Sequence, residues 1–132
     1  MMEAGRYYVG DLCYVLHEVW DEVCDLTFDK NGRMLDGEHY LKDGRKFALY
    51  STKYGDGTYT DTQGRKYGVD AGCIGCILED DIDFKVQGNE TDGGQIIDFP
   101  KDFVTGNNNG QLLFGHILIE TGDTDDEPYD EY

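Results

Sequence analysis

With 132 residues, of which 39% are hydrophobic and 13% aromatic, the chain has enough material for one hydrophobic core and too little for two. A formal net charge of −17 at pH 7 and a mean hydropathy of −0.60 argue against direct binding to nucleic acid or anionic membranes, where cationic side chains supply the affinity. No run approaches the roughly 20 apolar residues of a membrane span, and the opening MMEAGRYY has no basic or apolar leader pattern, so a cytoplasmic protein is expected.

In chain order, residues 6–9 (RYYV) and 13–16 (CYVL) read as a strand interrupted at Gly10-Asp11, or as two short strands around a bend. Leu16, Val19, Trp20, Val23 and Cys24 then recur at helical spacing, with Glu18, Asp21, Glu22 and Asp25 on the opposite side. A helix over about 17–26 follows, with Trp20 as its core anchor. Residues 37–41 and 45–52 form the next pair of strands, joined by a two-residue hairpin signal at Asp43-Gly44. A turn residue, glycine and arginine recur at Asn31-Gly32-Arg33, Asp43-Gly44-Arg45 and Gln63-Gly64-Arg65, at spacings too irregular for a repeat protein.

Residues 54–79 carry a central hairpin, with turns at Tyr54-Gly55-Asp56-Gly57 and Thr62-Gln63-Gly64-Arg65 and strand residues at 58–60 and 67–69. Further strands are predicted at 84–86 and 95–99, the latter stopped by Pro100, and at 111–114 and 116–120. Residues 89–94 and the asparagine-rich 105–110 read as loops. The expected fold is a β-rich α+β single domain over 1–120: a twisted antiparallel sheet or partly closed barrel with one helix packed on it. Residues 121–132 read as a disordered acidic tail.

Three groups of side chains invite a chemical reading. Cys73-Ile74-Gly75-Cys76 is a CxxC, but on a strand residues 73 and 76 point to opposite faces, and Cys13 and Cys24 do not make a second pair; packing cysteines are the expectation. Residues 27–38 (TFDKNGRMLDGE) approximate a calcium loop, with Asp29, Asn31 and Glu38 at liganding positions, yet Thr27 stands where a carboxylate belongs, so an ordinary helix-to-strand turn is preferred. Asp11, Asp56 and Asp70 lie in the glycine-rich bends. With Cys13 they would line a pocket if the sheet brought them together, although aspartate is also simply favoured in turns. No cofactor is expected.

The stretches YYVGDLCYVLHEVWDEVC and YGDGTYTDTQGRKYGVDAGCIGCI resemble a group of small acidic proteins of bacteria and their viruses, with a Tyr-x-Gly-Asp-Pro-Cys-Tyr-Val opening and a Tyr-Gly-Asp-Gly to Val-Asp-Ala-Gly core. Leu12 stands where that group usually has proline. The resemblance covers about the N-terminal half and implies a bacterial or phage source without any activity.

Charge is unevenly distributed: residues 1–67 hold 9 basic and 12 acidic side chains, residues 68–132 hold 2 and 16. The expected function is therefore a non-catalytic module that docks on a basic protein surface, such as that of a nucleic-acid-binding protein. The contact carboxylates would be Glu79, Asp80, Asp81, Asp83, Asp123, Asp125, Asp126 and Glu127, and a phage inhibitor acting by nucleic-acid mimicry is the sharpest form. The competing expectation is a small enzyme or ligand-binding protein using Asp11, Cys13, Asp56 and Asp70.

Overall fold

A computed structural model describes residues 1–31, 34–82 and 94–121. Among these residues ten strands, β1 (Gly5–Gly10), β2 (Gly37–Tyr40), β3 (Lys46–Ser51), β4 (Gly57–Thr60), β5 (Lys66–Val69), β6 (Cys73–Leu78), β7 (Gln95–Phe99), β8 (Thr105–Asn108), β9 (Gln111–Phe114) and β10 (Ile117–Glu120), accompany one α-helix, α1 (Trp20–Thr27). Five strands form an open antiparallel sheet in the order β2-β3-β6-β1-β7; β8, β9 and β10 form a second sheet, and β4 and β5 a two-stranded ribbon. The fold is thus strand-rich α+β with a twisted open sheet, not a closed barrel.

Period-two alternation explains how the sheet builds two cores at once. Tyr7, Val9, Ala48, Tyr50, Ile74, Cys76, Ile97 and Phe99 face the second sheet and the ribbon, whose Tyr59, Tyr67, Leu112, Phe114 and Ile119 complete one apolar cluster. Tyr8, Phe47, Leu49, Cys73 and Ile77 face the other way, onto Leu12, Leu16 and Val23. Strand β6 is covered on both faces, which is why CIGCIL reads as an unbroken apolar run. Its two cysteines fall in different clusters, as strand parity requires.

Several local expectations are corrected. Residues 13–16 do not extend: Asp11 accepts a hydrogen bond from the Cys13 amide (3.0 Å) and starts a 3-10 turn at Leu12–Tyr14, so the chain turns toward α1. The anchor of α1 is Val23, fully buried, whereas Trp20 is only half-buried against the same cluster. Residues 105–108 are strand β8 rather than loop, pinned by the Asn107 side chain, which donates to Asp36 and to the Ser51 carbonyl.

The Asp43-Gly44 hairpin uses a three-residue loop: Leu41 N–H donates to Arg45 O, Gly44 N–H donates to Leu41 O, and Gly44 takes the left-handed conformation (φ 98°). Asp61 to Arg65 repeats that pattern bond for bond, with Gly64 at φ 89°. Two of the three glycine-arginine turns are therefore one structural device, while Gly32 and Arg33 of the third lie outside the described residues. So do the expected strand at 84–86 and nearly all of the polar loop at 89–94.

Thr121, assigned by composition to the acidic tail, belongs to the fold. It is fully buried, with its amide and its hydroxyl both donating to Gly110 O and its carbonyl accepting from Tyr54 N–H. Residues 122–132 lie outside the described residues.

Asp61 shows how the ribbon is held. Its buried carboxylate accepts from the Tyr67 hydroxyl (2.7 Å), the Gln63 and Arg65 amides (2.8 and 3.0 Å) and the Arg65 guanidinium (3.3 Å). Burial opposes ionisation, but these donors outweigh it and hold the carboxyl below its usual range. A group depressed on folding stabilises fully above its unfolded value and loses that contribution as pH falls through the folded one. Tyr67→Phe is therefore expected to cost about 1–2 kcal/mol at pH 7, with the deficit shrinking progressively below about pH 4. Urea melts of both proteins across that range test it; a deficit that does not change with pH would show that the hydroxyl does not act through the ionised carboxylate.

Candidate functional site

The bend after β1 and the bend before β6 meet, and Asp11 is the reason. Its fully buried carboxylate accepts from the Asp70 and Ala71 amides, both at 2.7 Å, as well as from Cys13. Two of these three backbone donors lie about 60 residues away in sequence, so one carboxylate joins the two bends. That is a positioning role, and it places Asp70 where the Tyr14 hydroxyl donates to its Oδ2 at 2.6 Å.

Tyr14, Asp56, Gly57, Thr58, Gly68, Val69 and Asp70 line a polar depression of about 340 Å³. Two of the four residues proposed for a pocket, Asp56 and Asp70, thus face a shared concavity; Asp11 and Cys13 are not among its lining residues. Burial, then the hydrogen bond to Asp11 and the charges of Asp11 and Asp70, push the Cys13 thiol up to about 12, so it stays protonated at neutral pH. Burial first, then Asp70, also raises Tyr14, which keeps its proton and serves as a donor.

The calcium-loop residues do not converge. Asp29 accepts from the Asn31 amide within the turn (2.9 Å), while Glu38 sits on β2 and pairs with Lys46 (3.0 Å) and the terminal ammonium (2.7 Å). Residues 28 and 34 form an isolated bridge that draws the loop into an ordinary return. Among the described residues, no three His, Cys, Asp or Glu side chains gather as a metal site. Burial pushes the thiols of Cys73 and Cys76 upward, consistent with packing cysteines.

Of the eight carboxylates expected to meet a partner, Glu79, Asp80 and Asp81 form a 3-10 turn after β6; Asp83, Asp123, Asp125, Asp126 and Glu127 lie outside the described residues. Cations share this end of the sheet. Arg6 lies 3.4 Å from Glu79 and 3.9 Å from Asp98, and Arg45 pairs with Asp43 (2.9 Å) while donating to the Asp81 carbonyl (2.8 Å). Exposed carboxylates with no ion pair among the described residues include Asp80 in that turn and, along α1 and the turn before it, Glu18, Asp21 and Asp25. Asp21 and Asp25 stand one helical turn apart, roughly 5–6 Å between Cβ atoms.

Sequence reasoning missed a groove of about 630 Å³ between the end of β7 and the β9–β10 turn. The Phe99 and Phe103 rings stack there at 4.0 Å, and the His116 ring lies 5.1 Å from Phe99. Pro100 carries a strand-stop signal and His116 opens the last predicted strand, but nothing local joins them.

No family model, curated protein or solved structure matches the chain. No helix among the described residues is long and apolar enough to cross a membrane.

Proposed function

We propose that the chain is a non-catalytic binding module that engages a basic protein surface, with the acidic side of α1 as a principal contact. The observation carrying this reading is the row Glu18, Asp21 and Asp25, exposed and without an ion pair among the described residues. Of the carboxylates after β6, Glu79 is already matched by Arg6, and Arg45 reaches the Asp81 carbonyl beside them. A chain of net charge −17 approaches a cationic surface at an enhanced rate, and a helical row of carboxylates presents it with a linear array of acceptors. Such an array suits grooves built for nucleic acid; in its sharpest form the module is a phage-encoded nucleic-acid mimic acting on a host nucleic-acid-binding or defence protein.

The test is capture of bacterial lysate proteins on the immobilised chain, with elution from about 0.1 to about 0.5 M salt. Basic nucleic-acid-binding proteins are expected to bind at low salt, elute as salt rises and be displaced by free duplex DNA. Glu18→Lys, Asp21→Lys and Asp25→Lys together should abolish retention, whereas the same charge change at Asp43, Asp80 and Asp98 should largely preserve it. Retention indifferent to the α1 substitutions, or no salt-sensitive partner at all, overturns the proposal. A second reading, a polar-ligand site, is supported by the shared exposure of Tyr14, Asp56 and Asp70 in their depression.

A further inference from the structure

We infer that the groove beside β7 is a binding site for a small flat apolar carboxylate, such as an aromatic acid. Its volume of about 630 Å³ lies within the range of small-molecule sites, roughly 300–1,000 Å³. Stacked Phe99 and Phe103 form its base, the His116 ring tilts over Phe99, and Pro100 and the half-exposed Val104 flank it. Ring-lined surfaces of this kind favour planar apolar bodies.

The polar groups of the rim set the charge. Asp102 accepts from the Ala4 amide at 2.8 Å, and Asp98 lies 3.9 Å from Arg6, so both carboxylates have partners outside the groove. Lys101 and His116 have no hydrogen bond or ion pair among the described residues, and both present N–H donors. An apolar groove with an unmatched ammonium and imidazole, on a chain of net charge −17, is complementary to an anion that most of this surface would repel. Burying apolar surface overcomes that repulsion only where the charge lands on Lys101 and His116, which selects a ligand with one anionic end.

The groove shares no residue with the acidic row of α1, so this inference stands or falls separately from the partner proposal. The experiment titrates the full chain with 2-naphthoate and with neutral 2-naphthamide, followed by backbone amide NMR shifts. Naphthoate is expected to saturate below about 1 mM, with shifts confined to the groove residues 98–104 and 115–116 and the adjoining Met1 and Met2. The amide should bind about tenfold more weakly, the scale of one charge-assisted hydrogen bond.

Lys101→Glu should weaken naphthoate by a similar or larger factor while leaving naphthamide unchanged, and Val104→Asp should weaken both. Unchanged amide shifts along α1 verify that each variant is folded. Equal affinity for acid and amide, shifts beyond the groove and its adjoining residues, indifference to Lys101→Glu, or groove shifts produced by protein concentration alone would overturn the assignment.

Discussion

Replacing Asp11 with alanine is expected to destabilise the fold by about 3–5 kcal/mol, measured as a fall in the urea midpoint at unchanged slope. The side chain is fully buried, and its loss leaves the Cys13, Asp70 and Ala71 amides without their acceptor in the interior. Each orphaned donor costs about 1–3 kcal/mol, with partial relief where water enters. Asp11→Asn keeps the shape but offers only one accepting oxygen and turns an NH2 group toward donors, so it should recover less than half of the loss. A deficit under about 1 kcal/mol for the alanine variant would mean that the two bends hold each other without the carboxylate. The same variant should disturb the amide signals around Tyr14 and Asp70, because the depression they line depends on this junction.

The second large effect is expected at Gly75, in the middle of β6. Its dihedrals are open to any residue, so the constraint is space. An added Cβ would run into the Ala48 carbonyl oxygen and approach Leu12 Cδ1 at 2.9 Å and Leu49 Cδ1 at 3.0 Å. The leucine side chains have some freedom to shift; the Ala48 backbone, paired with Cys76 between β3 and β6, has little. Gly75→Ala should therefore cost about 3 kcal/mol, toward the upper end of overpacking penalties, and Gly75→Val more. Thermal melts alongside Gly106→Ala, where an added Cβ meets nothing within 4 Å, provide the comparison. Similar melting shifts for the two alanine variants would show that β3 and β6 separate more readily than their pairing implies. The glycine of the CxxC thus serves the close approach of strands.

Local signals made much of the fold legible. Apolar spacing of 3.6 revealed α1, and Asp-Gly and Gln-Gly marked two hairpins. Where reading failed, distant partners decided the outcome. Residues 13–16 have the composition of a strand, but the Asp11 side chain caps a 3-10 turn there while tying itself to Asp70 and Ala71. The asparagines of β8 look like a loop until Asn107 finds Asp36 and Ser51. The candidate sites divide in the same way. Asp11, Asp56 and Asp70 stood out because they occupy glycine-rich bends, yet their separation into one buried strut and two exposed carboxylates rests on contacts across nearly half the chain. The aromatic groove had no local signature, since Phe99 and His116 meet only after β7 and β10 have joined different sheets.

The position of β1 has a kinetic consequence. It lies between β6 and β7, pairing Tyr7 with Leu78 on one side and Ile97 on the other, so both of its ladders close loops of about 70 and 90 residues. Loop closure on that scale must precede any reward from pairing, which places folding in the slower range of small domains, about milliseconds to seconds. During synthesis the first strand has no partner until β6 has been made, and the local hairpins β2–β3 and β4–β5 are free to form before it. The late step of folding is then the insertion of β1 between β6 and β7, and the Asp11 junction, adjacent to that strand, closes with it.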